Sequence, residues 1–211
     1  MFKKPLLAFV AGLALIGAAS AQVNVVPQVG VNTANLRQNT YSAAILSLIP
    51  EATAGTDFFC ISGSATKNIH VHRLEISGTG TAATQVVHLN HNLGLDTGTA
   101  AVVGTYGPVA NPLKSTDPAA TATVVAYNAT SGNPTIGGTV TVIRTAELGV
   151  VASTVGIPAS PMVMTFGTIG GFYDQSLDIP SGATTEQYCL NFNGATVTAS
   201  VLQGYIEWTE D

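Results

Sequence analysis

Charge is what this 211-residue chain has least of. Only 9% of its residues are charged, with seven Lys and Arg against twelve Asp and Glu. It also has two cysteines, one tryptophan and few aromatics. After the first twenty or so residues, no window carries an apolar 3.6-residue repeat of helical length, and no apolar run is long enough to cross a bilayer. Each scarcity excludes something. Too few basic residues, scattered too widely, rule against binding to a run of phosphates, so nucleic acid is not an expected partner. The missing helical repeat rules against an alternating α/β fold. Two thiols allow a single intramolecular bridge and exclude a cysteine-dense scaffold.

What is present begins with a basic start, Met1-Phe2-Lys3-Lys4, followed by an almost wholly apolar stretch from Pro5 to Ala19. Ala19-Ser20-Ala21 supplies the small-x-small pattern of a signal peptidase site. Residues 1–21 therefore read as a Sec-type signal helix, not as an anchor, because the apolar run is shorter than the roughly 20 residues a span requires. The expected location is the periplasm, the cell surface or the exterior, with no stable membrane insertion once the signal is cleaved. Without Lys3 and Lys4, five basic residues (Arg37, Lys67, Arg73, Lys114, Arg144) face twelve acidic ones, a net charge of −7. No acidic block stands out, so this charge serves solubility.

Residues 22–40, with Pro27, Gly30 and several Asn, read as an arm or linker. Residues 41–211 read as one β-domain. Alternating or β-branched runs at Tyr41–Leu48, Thr56–Ser62, Asn68–Ser77, Thr84–His91, Thr121–Tyr127, Thr139–Thr145 (prolonged by Leu148–Val151), Met162–Phe166, Ser176–Ile179, Gln187–Gly194 and Ser200–Asp211 are separated by Gly, Pro and Asn breaks. About ten short strands at this spacing predict an all-β fold, a single antiparallel sandwich of jelly-roll type. Asn92–Ala120 is rich in Gly and Pro and reads as a long loop, strand-like only at Ala101-Val102-Val103. Such a loop on a β-scaffold is the natural place for a binding surface. In the last strand Leu202, Gly204, Ile206 and Trp208 share one face, which makes Trp208 a core residue.

Cys60 and Cys189 each lie opposite the aromatic-lined side of their strands. That placement predicts neighbouring strands joined by a disulfide, with two buried free thiols as the plainer alternative. Catalysis by either is not indicated, since neither has a CxxC partner or an adjacent base.

The four histidines cluster in sequence. His70 and His72 are two apart on one strand, and His88 and His91 fall on the next. If those strands pair across Gly78–Ala83, His70, His72 and His88 converge as ligands for Zn²⁺ or Cu²⁺. The plainer reading is a set of polar strand residues, because His88 and His91, three apart, face opposite ways. Asp96-Thr97-Gly98 matches one loop of an aspartic protease, but such enzymes need two Asp loops sharing a proton. With no second loop, the match reads as chance. No Gly-x-Ser-x-Gly elbow, phosphate loop or dinucleotide fingerprint follows a strand. Asn128-Ala129-Thr130 is a glycosylation sequon, of consequence only in a eukaryotic host. Glu207, Glu210 and Asp211 read as a solvated chain end. No cofactor is expected.

Several strings, in order, resemble a family. They are Ile61-Ser-Gly-Ser-Ala-Thr-Lys67, Arg73-Leu-Glu-Ile-Ser-Gly-Thr79, Ala126-Tyr127 with Asn133-Pro134-Thr135, Leu190-Asn-Phe-Asn-Gly194 and Tyr205-Ile-Glu-Trp-Thr-Glu210. Together these span about residues 40–211 and are similar to β-rich structural proteins of tailed phages and prophages that end in an IEWTE-type strand. The resemblance implies a non-enzymatic virion or surface protein of decoration or fibre type, a homo-oligomer or a partner of other structural subunits. Two features depart from it: tailed-phage virions assemble in the cytoplasm, where a signal peptide has no role, and His-x-His is foreign to the group. The other reading of an exported β-sandwich is a carbohydrate- or ligand-binding module presenting Tyr106, Phe172, Tyr173, Tyr205 or Trp208.

Overall fold

The alternation of apolar and polar residues dictates strands, and the computed structural model contains eleven among the described residues. They are β1 (Asn39–Leu48), β2 (Asp57–Ser62), β3 (Ile69–Gly80), β4 (Ala83–Asn92), β5 (Ala110–Pro112), β6 (Thr123–Ala126), β7 (Val140–Ala152), β8 (Met162–Thr165), β9 (Leu177–Ile179), β10 (Gln187–Asn191) and β11 (Val201–Glu210). The structure describes residues 38–50, 56–81, 83–99, 107–129, 133–152, 160–167, 176–192 and 200–211. The expected signal helix, residues 22–37 of the expected arm, the 101–103 run and the aromatics Tyr106, Phe172 and Tyr173 lie outside these, while Asn39 and Thr40, expected in the arm, belong to β1. No helix occurs among the described residues.

The strands form one sheet in the order β5-β1-β11-β3-β7-β4-β10-β2-β6, with β8 and β9 both pairing β3. The all-β expectation holds. The purely antiparallel one does not, since β7 runs parallel to β3 where Gly78–Gly80 meets Val150–Ala152. The end of β7 wedges between β3 and β4, and these consecutive strands do not pair among the described residues. Gly78 permits the wedge: a Cβ there would sit 2.9 Å from Leu202 and 3.4 Å from Val150. The short β5, inside the span expected to be loop, pairs the outer edge of β1. Pro112 ends it, because proline cannot donate to a ladder.

The sheet curls almost into a barrel. Ala129 N–H donates to the Ile49 carbonyl at 2.8 Å, tying the end of β6 to the end of β1. The inner face is a continuous apolar core. Trp208, fully buried, stacks on Tyr41 with centroids 5.7 Å apart. Phe58 stacks on Phe192 at 4.3 Å. Leu202, Ile206 and Trp208 are buried, as their shared parity requires. Gly204 stands among them because a Cβ there would run into the Glu75 carbonyl.

Glu210 is not a solvated end. It is 3% exposed. Its carboxylate accepts from Trp208 Nε1 at 2.9 Å, Thr121 N at 2.9 Å, Thr121 Oγ1 at 2.6 Å and Ala122 N at 3.0 Å. Four donors on one buried carboxylate secure the lead into β6 against β11, and with it the closure of the sheet. Asp211 is also bonded, to Asn68 Nδ2 at 3.0 Å and His70 Nε2 at 3.2 Å.

Glu210→Ala strands those donors, at about 1–3 kcal/mol for each one left unmet. The expected result is a loss of at least about 3 kcal/mol in chemical denaturation, with a smaller loss for Glu210→Gln. Removal of residues 200–211 is expected to abolish cooperative melting, since it takes out Trp208 and the strand between β1 and β3.

Candidate functional site: a buried polar cluster beneath two loops

The inner face of β2, β10 and β4 is apolar, with Phe59, Ile61, Leu190 and Leu89 all buried in the core. The outer face of the same strands is polar and equally buried. In the register, Cys189 sits between Cys60 of β2 and Asn90 of β4, and Gln187 between Ser62 and Asn92. Gln187, Cys189 and Asn191 share this face by period two, as do Asn90 and Asn92.

Asp57 joins them through a bulge. Leu190 pairs Phe59 but Asn191 pairs Asp57, so Phe58 is the extra residue. The bulge turns Asp57, three positions before Cys60, onto the face of Cys60. Asp96 arrives from the loop after β4. That loop is latched over the cluster by Leu93 N–H to Thr139 O at 3.0 Å and by paired backbone bonds between Thr97 and Thr135, one of 2.9 Å and one of 2.7 Å. Gly137 and Gly138 make room for this crossing. Gly138 has φ +63°, and a Cβ on it would press on Gly94 N at 2.6 Å.

Cys60 and Cys189 are disulfide-bonded across the ladder, with Cα atoms 4.1 Å apart. The expected bridge is present, on the expected side, packed against Tyr127 and Val125 away from the main core. Beside it lie the two carboxylates. Asp57 Oδ1 accepts from Asn191 Nδ2 at 2.7 Å and Asn90 Nδ2 at 3.5 Å, while Oδ2 accepts from Asn92 Nδ2 at 2.6 Å. Asp96 Oδ1 accepts from Gln187 Nε2 at 2.6 Å, Gly137 N at 3.1 Å and Asn92 Nδ2 at 3.3 Å. One oxygen each of Asp57 and Asp96 and both sulfurs fall within 4.8 Å of one another.

Asp96 is partly buried beside a second carboxylate and met only by neutral donors, which disfavours its charged form. Burial first, then the charge of Asp57 and a carboxyl–carboxyl hydrogen bond, push the Asp96 pKa up to about 7. Burial, then the charges of Asp96 and Asp57, push the Tyr127 hydroxyl to about 12. Chemically the cluster can share a proton. Asp57 is wholly buried, so the pair is not presented to a polymer in the manner of a protease dyad.

The histidines go elsewhere. With β7 between β3 and β4, His70, His72 and His88 do not converge, and no histidine belongs to the metal-capable grouping found among the described residues. His70 lies between Asp178 Oδ1 at 2.8 Å and Asp211 Oδ1 at 3.2 Å. His72 is the bulged residue of β3, skipped where Val71 pairs Trp208 and Arg73 pairs Glu207, and its Nε2 meets Thr209 Oγ1 at 2.9 Å. His88 pairs Asn191 and Thr145 in the ladder. His91 reaches Glu186 at 3.1 Å. Asn128 of the sequon is buried.

Asp96 was singled out by its Thr-Gly sequel, but Asp57 and the amide ladder were not. The available signal was Asn90-x-Asn92 and Gln187-x-Cys189-x-Asn191, polar residues in strict alternation inside otherwise core strands. No family model matches the chain, and neither a curated protein nor a solved structure matches it.

The bridge closes a separation of 129 residues. Cys60→Ser with Cys189→Ser is expected to cost about 4–5 kcal/mol on loop-entropy grounds, read from the denaturant midpoint. Retention of full stability would show that the strands hold register unaided.

Burial lowers the His70 pKa, but hydrogen bonds and charges from Asp178 and Asp211 outweigh it and the net shift is upward. A raised pKa gives stability that is complete below the unfolded value of about 6.5 and is lost as pH rises through the folded value. Melting temperature is expected to fall as pH is raised from about 6.5, and His70→Asn to flatten that slope.

Proposed function

We propose that the protein is a non-enzymatic, exported structural subunit of a cell surface or virion, and that it assembles with further copies of itself through the outer edge of β7. One observation carries this reading: residues 140–145 are exposed on both faces of the strand. Among the described residues, no strand pairs their outer edge. Val140, Val142 and Ile143 are 39%, 50% and 37% exposed. A long edge strand with apolar side chains and no proline is a template for another strand.

A second copy fits it. Antiparallel pairing centred on Val142 sets Val140 opposite Arg144 and Thr141 opposite Ile143, so no like charges meet and the contact is closed by a twofold axis. The scarcity of surface charge agrees with a protein that is covered by its neighbours. In this reading the facing parts of the curled sheet act as the layers of a jelly-roll-like sandwich, and residues 1–21 deliver the chain through the export machinery.

A second reading has its own support. On the outer face of β3 and β11, Ile45, Leu46, Glu75, Ser77, Gln203 and Tyr205 line an open depression of about 280 Å³. The Tyr205 hydroxyl donates to Glu75 at 3.0 Å, and the Arg73 guanidinium lies 5.6 Å from its ring. An aromatic ring beside acid and amide groups suits a sugar.

Light scattering separates the two. Assembly of fixed stoichiometry is expected for residues 22–211, with Val142→Lys converting it to a folded monomer whose melting temperature no longer depends on protein concentration. A strict monomer that binds a glycan array would instead make the protein a carbohydrate module.

A further inference from the structure

We propose that the Asp96 carboxyl is a proton-controlled latch: protonated, it holds residues 93–97 shut over the Cys60–Cys189 disulfide, and on losing its proton it lets that segment lift and uncover the sulfurs. The placement of the loop's side chains carries this. Of residues 93–99, Asp96 is the only one besides Gly94 that is not exposed. Leu93 and Leu95, 52% and 43% exposed, turn their side chains to the outside. The segment therefore has a single side-chain anchor, beside its backbone bonds at Leu93 and Thr97. That anchor reaches the bridge itself, with Asp96 Oδ2 3.8 Å from Cys60 Sγ. Both cysteines are buried, and Tyr127 and Val125 pack on them as well.

The two oxygens of Asp96 are unlike. Oδ1 accepts from Gln187 Nε2, Gly137 N and Asn92 Nδ2, as a carbonyl oxygen can. Oδ2 faces a disulfide sulfur, which has no proton to give. A proton on Oδ2 suits this arrangement, with Asp57 as its acceptor. Asp57 of β2 and Tyr127, next to the end of β6, are the titratable groups that face Asp96 among the described residues, and neither supplies positive charge. From β4, β10 and the Gly137 turn it meets only amides. No Lys, Arg or His forms an ion pair with it among the described residues. Loss of the proton therefore sets an uncompensated charge against Asp57, and lifting residues 93–97 returns that charge to water. A carboxyl whose pKa is raised by folding gives stability that is complete below the ordinary value near 3.9 and is lost as pH climbs to the folded value. For Asp96 the folded value is about 7. Opening gains about tenfold per pH unit between those limits and levels off above them.

The test uses the full chain with its disulfide intact, and tris(2-carboxyethyl)phosphine as the probe. The phosphine is oxidised to its oxide with the oxygen of water, and the bridge is reduced to two thiols. The rate at each pH is divided by that of oxidised glutathione under the same conditions. This normalised rate is expected to rise roughly 100-fold from about pH 5 to about pH 7 and to level off above. Asp96→Asn keeps an acceptor oxygen and an N–H for Asp57, so its rate is expected to stay low at every pH. Hydrogen exchange reads the same opening in the wild type: the Thr97 and Thr135 amides are expected to lose protection over that window, while those of β11 keep theirs. Should Asp96→Asn not fold, the two wild-type measurements still decide. Any of three results overturns the proposal: a normalised rate independent of pH in the wild type, a slope that survives in Asp96→Asn, or protection lost equally in β11, which would make the opening global unfolding.

Discussion

The register at Cys189 is the constraint from which the rest follows. Cys60 on one side and Asn90 on the other fix three strands against each other. Once the sulfur of Cys189 points outward, Tyr188 and Leu190 must point inward. The inner face becomes core, and the outer face must bury Gln187, Asn191, Asn90 and Asn92 under the loops. A slip of one residue would exchange the two faces and put four amides in the core, so burial on both sides specifies this register strongly. The disulfide makes the choice covalent.

Closure at the other end of the sheet depends on β11. Trp208 fills the core between β1 and β3, and two positions on, Glu210 turns its carboxylate to the backbone before β6. Apolar burial and a satisfied buried charge therefore act at the same strand end. The polar cluster lies on the opposite side of the wall that this closure completes. The same sheet thus carries an apolar interior, a buried polar cluster and, at residues 140–145 of β7, an edge that no strand pairs among the described residues.

Much of this was legible in the residues themselves. Ten strand segments, the side on which the cysteines lie and the inward face of Trp208 follow from period two alone. The phase break in Ile69-x-Val71-x-x-Leu74-x-Ile76 carries the bulge at His72, which the reading of His70 and His72 as a regular pair on one face passed over. Other features were not legible, for physical reasons. Asp57 and Cys60 are three apart, which in a regular strand sets them on opposite faces, and only the bulge at Phe58 reverses that. The wedge of β7 beside Gly78 depends on a long-range pairing that no local pattern encodes, and it separates His70 and His72 from His88. The three residues of β5 are too few for alternation to show. Glu210 sits next to the chain end, where solvation is the default expectation, and its role needs the donors at Thr121 and Ala122, almost ninety residues away.

The most direct measurement of the central claim is a crystal structure with the disulfide intact. The account predicts Cys189 between Cys60 and Asn90, with Asp57 on the face of Cys60 and Asp96 against it. An Asp57 side chain on the opposite face of β2, or a register in which Cys189 does not lie between Cys60 and Asn90, would contradict it.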